Sequence, residues 1–140
     1  MPLPYVEIIE MSGMSDYLEV ALNNAVFNAT SFSVATVYVS LHTADPGDAT
    51  GASEITDSGY IRKAGSFGTP GATDGTCDND VEVLFNALAD VGTINLSYFG
   101  IWDAATVGNY LGSGVLATAK DFSQGDVPRF PVVSLVATMS

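Results

Sequence analysis

A chain of 140 residues, 47% of them hydrophobic and 14% charged, is the size of one domain and carries enough apolar mass for one packed core. Sixteen acidic residues against four basic ones give a formal charge of −12, which excludes nucleic acid and anionic membrane surfaces as expected partners, because both are held by clustered Lys and Arg. The lone cysteine, Cys77, excludes an intrachain disulfide; no apolar run nears the ~20 residues of a membrane helix, and "MPLPYVEIIEMSG" lacks the positive charge of a secretory leader.

Residues 1–13 form an extended arm by pattern, with two prolines and then Val6, Ile8 and Ile9 interleaved with Glu7 and Glu10. Residues 14–140 follow as a single β domain with a leading helix. Ser15 is the expected N-cap of that helix, with Asp16 and Glu19 in its first turn, where negative charge suits the dipole. Tyr17, Leu18, Ala21, Leu22, Ala25 and Val26 recur at helical spacing, and Asn28 to Ser31 ends the run. From Ala35 the period changes to two. In "TVYVSLH", Val37, Val39 and Leu41 share one face while Tyr38, Ser40 and His42 share the other.

A long Gly, Ser, Asp and Thr loop then runs to Gly59. Further strand-like segments follow: "YIRKAGSFG", "VEVLF", "TINLSYFGIWD", "YLGSGVLATA" and "PRFPVVSLVATM", each bounded by turn formers. No later segment carries a helical stripe long enough for the crossover that parallel strands need, so the expected architecture is mainly β, an antiparallel sandwich or small barrel of about six or seven strands. Glycines 65, 68, 100, 112 and 114 inside these segments predict bulges or sharp bends.

The residues suited to chemistry are few. His42, the only histidine, is followed by Asp45 and Asp48, but no G-x-S-x-G elbow accompanies it and "ADPGD" is turn chemistry: Asp caps, Pro fixes φ, and Gly accepts positive φ. One histidine and one cysteine are too few for a structural zinc site. Asp74, Asp78 and Asp80 share one loop, and carboxylates on a loop can bind calcium, yet the helix-loop-helix calcium spacing is absent. Tyr98, Trp102 and Tyr110 are candidate glycan-contacting aromatics, weighed against ordinary packing. Asn28-Ala-Thr30 and Asn95-Leu-Ser97 match the N-glycosylation pattern, and both read as accidental. The residues call for no cofactor and no metal, and the expectation is a non-enzymatic chain.

Three stretches in fixed order, "YVSLHTADPGD", "GYIRKAGSFG" and "GIWDAATVGNYLGSGVLATAKDFSQGDVPRF", resemble a family of small virion proteins of tailed bacteriophages commonly labelled tail fibre proteins. The likeness runs from about Ser15 to Met139; family members tend to begin near the position of Met14, so the arm is an extension. The resemblance implies a bacteriophage virion structural protein present in many copies, a homo-oligomer whose partners are other virion proteins, either the major capsid protein or tail proteins. The preferred reading is a capsid decoration or cement protein on the capsid exterior, with the arm residues Val6, Ile8 and Ile9 gripping a neighbour by strand addition. The alternatives are a tail or tail-fibre component contacting the host receptor, a carbohydrate-binding module around Trp102, and a hydrolase around His42.

Overall fold

The computed structural model of the chain describes residues 9–11 and 13–139. Strands β1 (Ile9–Met11) and β2 (Gly13–Met14) lead into one helix, α1 (Asp16–Phe27). There follow β3 (Val37–His42), β4 (Lys63–Gly65), β5 (Cys77–Asp78), β6 (Val83–Leu84), β7 (Thr93–Trp102), β8 (Tyr110–Ser123), β9 (Arg129–Phe130) and β10 (Leu135–Ala137). The main sheet has the order β2-β8-β7-β3-β4 with every neighbouring pair antiparallel. A three-stranded sheet β1-β10-β5 and a two-stranded ribbon β6-β9 complete the β structure. Among the described residues no sheet closes into a barrel, and the fold is mainly β and sandwich-like. The arm residues Val6 and Ile8 lie outside the described residues, whereas Ile9 opens β1, which runs parallel to β10 with Ile9 opposite Leu135.

The helix starts where its cap dictates. Ser15 is extended, its side chain accepts from Leu18 N at 3.1 Å, and Asp16 and Glu19 sit in the first turn. Its buried stripe is narrower than the sequence pattern implies. Leu18 is the one residue of α1 that is fully buried; Ala21, Leu22 and Ala25 are half-buried, and Tyr17 and Val26 are 41% and 71% exposed. At 100° per residue, positions 18, 21, 22 and 25 share one face, and 17 and 26 fall on its two flanks, so a short helix on a sheet seats only the middle of the stripe.

Alternation in β3 holds as read. Val39 and Leu41 enter a core built with Phe99, Ile101, Leu96, Val83, Phe85, Phe130 and Leu135. Phe130 meets Phe85 and Phe99 edge-on, with ring centroids 6.1 and 6.2 Å apart. Each such side chain removed from water contributes about 1.5–3 kcal/mol before the entropy of ordering it is counted. Ser40 and His42, on the opposite face, are buried too, because the segment between β3 and β4 folds back over them.

Two expectations are corrected. "PRFPVVSLVATM" is not one strand: Pro131 lacks an N–H for a ladder, and residues 131–134 form a turn between β9 and β10, closed by Ser134 N donating to Pro131 O at 3.2 Å. The bulges also fall at one expected glycine and not at another. The β7–β8 register shifts between Leu96 and Tyr98 and between Ile101 and Trp102, the second shift lying on β8 between Gly112 and Tyr110, whereas Gly100 pairs regularly with Ser40 and Ser113. Gly100 answers to crowding instead: a Cβ there would lie 2.5 Å from Ser40 Oγ and 2.7 Å from His42 Nε2.

Candidate functional site

Antiparallel register places one set of side chains on the sheet face away from the core. Tyr38 lies opposite Trp102 and Trp102 opposite Tyr110; Ser40 lies opposite Gly100 and Gly100 opposite Ser113; His42 lies opposite Tyr98 and Tyr98 opposite Val115. The three aromatics singled out in the sequence therefore do share a face. They are not equally available. Trp102 and Tyr110 are 7% and 4% exposed, their ring centroids are 5.3 Å apart, and the Arg62 guanidinium carbon lies 3.5 Å from the indole centroid. Gly51, at φ +64°, closes the same spot so tightly that a Cβ would meet the indole at 2.6 Å. Tyr98 is half-buried and stands apart from that pair.

His42 sits in a closed relay. Its Nδ1 is 2.6 Å from the Ala52 carbonyl oxygen, which only accepts, so Nδ1 carries the proton. Nε2, 2.7 Å from Ser40 Oγ, then accepts from the hydroxyl, and Ser40 Oγ in turn accepts from Trp102 Nε1 at 2.9 Å. Burial pushes the imidazole below its ordinary value of 6.5, against the opposing pull of the Ala52 carbonyl and the Glu54 charge. The Ser40–His42 distance is that of a nucleophile and its base. Both residues, however, are 0% exposed, and a backbone carbonyl stands where an orienting carboxylate would be. Every polar atom of the relay is spent inside the fold.

A second network continues from it. Glu54 accepts from Tyr60 Oη at 2.7 Å and from Arg62 through Nε at 2.9 Å and Nη2 at 2.8 Å, the two-pronged geometry that a guanidinium favours. Burial alone would raise the Glu54 carboxyl, but the Arg62 and Tyr60 hydrogen bonds prevail and hold it below the usual range. Tyr60 Oη also accepts from Leu41 N at 3.2 Å, and burial beside the Glu54 charge raises its phenol far above 10. Arg62 Nη1 reaches the carbonyls of Ala104 and Val107 at 3.2 and 2.8 Å. One cation thus ties the β3–β4 segment to the β7–β8 hairpin tip, where Val107 is left-handed at φ 56° and 85% exposed.

Two further clamps escape the sequence pattern. Asp57, buried on the surface's inner side, accepts from Gly59 N, Ala89 N and Asp90 N at 2.8, 2.8 and 2.9 Å; the backbone N–H groups, Ala89's first, lower its pKa. Asn79, wholly buried, pins residues 81 and 131–135. Its neighbours Asp74, Asp78 and Asp80 gather no metal-holding cluster: among the described residues no group of three or more His, Cys, Asp or Glu could hold an ion, and Asp74 is engaged with Thr76 N and Oγ1. Asn28 caps α1, and Asn95 donates to Asp121 at 2.8 Å on an exposed strand face.

What the fold offers outward is apolar. Along the outer side of α1, Val20 and Phe27, seven residues apart, are 60% and 77% exposed, flanked by Val26 and Tyr17. Around residues 81–84 and 131–134, Val81, Leu84, Val132 and Val133 are each more than half exposed. Exposed apolar side chains grouped in this way are candidates for places where proteins meet.

By its fold, then, the protein is a sandwich-like β domain headed by one helix, with its buried polar side chains turned to internal bracing. Residues 13–138 match the family model described as podophage GP4 fiber I protein gp80, and the chain belongs to that family. It is accordingly a bacteriophage virion protein of the fibre type, with a structural role in the particle. No curated protein sequence matches the chain.

Proposed function

We propose that this chain is a non-enzymatic fibre subunit of the phage tail apparatus, acting as a homo-oligomer that docks on other tail proteins. The observation that carries the reading is the outer face of α1. Val20 and Phe27 are displayed on the side opposite Leu18, the side that an amphipathic helix on a sheet gives mostly to polar residues. Family membership places such a face in a fibre-type protein, where repeated copies gain strength through effective concentration and each contact needs only modest affinity. His42 and Ser40 then serve as bracing, and no bond in any substrate is broken.

The test is the oligomeric mass of the purified protein by light scattering, wild type against Phe27→Asp. The expected result is a symmetric oligomer that Phe27→Asp reduces to a folded monomer, whereas an unchanged mass removes α1 from the interface.

A second reading, a capsid decoration or cement protein on the shell exterior contacting the major capsid protein, is favoured by one observation. The longest helix among the described residues has 12 residues, too short for the coiled-coil shaft of an extended fibre. Counting copies per particle by quantitative mass spectrometry separates the two, with roughly hundreds expected for a shell protein and on the order of a dozen for a tail fibre.

A further inference from the structure

The turn Pro131-Val132-Val133-Ser134 holds a residue where its backbone does not want it. Ser134 N closes the turn on Pro131 O, Val133 in the third position has φ 63°, and Val132 before it is not left-handed. That is the pattern of a type II turn, whose third position favours Gly or Asn because a branched Cβ crowds the backbone at positive φ. Such strain is tolerated elsewhere when the side chain is needed for the core. Here Val133 is 55% exposed and Val132 51%, so neither side chain is held for internal packing.

The surroundings enforce the display. Asn79 Oδ1 accepts from Ser134 N at 3.0 Å and Leu135 N at 2.8 Å, and its Nδ2 donates to Pro131 O at 2.8 Å and Val81 O at 3.0 Å. The Asn79 carbonyl accepts from Val133 N at 2.8 Å. One buried amide therefore fixes Val132 and Val133 beside Val81, itself 56% exposed. The two turn valines line an open cleft with residues 68–80, which contributes Asp74, Asp78 and Asp80 and no basic residue.

We propose that this valine turn is the anchor for an apolar, Lys- or Arg-bearing segment of a different virion protein. The inference rests on the structural-subunit reading above and names the chemistry of its partner. Charge decides against a second copy as the occupant. The chain has sixteen acidic residues and four basic ones; Arg62 is bound to Glu54 inside the fold, Arg129 pairs with Glu82 at 3.5 Å and Lys63 donates to Asn86 at 2.8 Å, which leaves Lys120 as the one basic residue without such a partner among the described residues. A like-charged copy brought against the three aspartates would be repelled, whereas a cationic segment gains both the aspartates and the valines.

The test uses full-length protein and phage particles assembled without it, following rebinding to the particles. Val133→Gly removes the side chain and relieves the backbone, so its thermal midpoint is expected to stay level or rise while affinity for the particles falls about tenfold. Val132→Ser, at a position with ordinary backbone, is expected to lose binding similarly and covers the case in which the glycine variant misfolds. Raising salt from roughly 0.05 to roughly 0.5 M is expected to weaken the wild type as the carboxylates are screened. If wild type and both folded variants bind equally, the anchor is wrong. If the variants change oligomeric mass while keeping particle affinity, the valines face another copy and the proposal is overturned. Failure of the wild type itself to bind would instead remove the virion-subunit reading beneath it.

Discussion

Replacing Asn79 with alanine should cost more than any surface change in this protein. The amide is 0% exposed and makes four side-chain hydrogen bonds, to Val81 O, Pro131 O, Ser134 N and Leu135 N. At a net of roughly 0.5–1.5 kcal/mol each, their loss is worth about 2–6 kcal/mol. Pro131 O keeps Ser134 N and Oγ as donors, which softens that figure, but Leu135 is wholly buried and its N–H would be stranded, adding about 1–2 kcal/mol. The expected total is about 3–7 kcal/mol, a large share of the ~5–15 kcal/mol that holds a domain together. Urea unfolding followed by the single tryptophan measures it directly, since Trp102 is buried beneath Arg62 and reports loss of the packed face; far-UV circular dichroism in parallel checks two-state behaviour. Asn79→Asp keeps the oxygen that accepts from Ser134 N and Leu135 N but aims its second carboxylate oxygen at two carbonyls. Its deficit should therefore shrink on acidification, when a protonated acid can donate. A measured cost for Asn79→Ala below about 1 kcal/mol would mean that the clamp does not hold the turn, and the account of Val133's display would fall with it.

Two other outcomes are expected. His42 is the only histidine and its folded pKa is lowered from 6.5, so the unfolded chain takes up the proton first; stability should be level above about pH 6.5 and decline below it at up to ~1.4 kcal/mol per pH unit. His42→Gln should start less stable and lose that slope between about pH 7 and pH 5.5, as read by urea midpoints. Deleting residues 2–12 removes β1, the parallel partner of Leu135 to Ala137, and should lower the thermal midpoint by several degrees in a melting scan. An unchanged midpoint would show that the pairing contributes nothing to the fold.

What was legible in the sequence was what is local. The Ser15 cap, the change of period at β3 and the Asp45-Pro46-Gly47 turn all depend on neighbours in the chain. The structure has Gly47 at φ 70° with its N–H donating to Asp45 Oδ1 at 2.9 Å. What escaped was set by distant partners. Nothing near "DND" announces that Asn79 will reach residues more than fifty positions away, and the acidic neighbours drew attention from the amide between them. His42 was visible, but its relay depends on Trp102, brought across by β7, and on Ala52 from a folded-back loop. The helix stripe is wider by pattern than in the fold because periodicity shows which residues could face a core, and only the packed partner decides how many do.

The parallel run of Ile9–Met11 beside Leu135–Ala137 decides how tension along the chain would load this domain. Tension entering at the N-terminal end of one strand and leaving at the C-terminal end of the other drags the two past each other lengthwise. All the bonds between them are then stretched together, and they cannot be opened one at a time like a zipper.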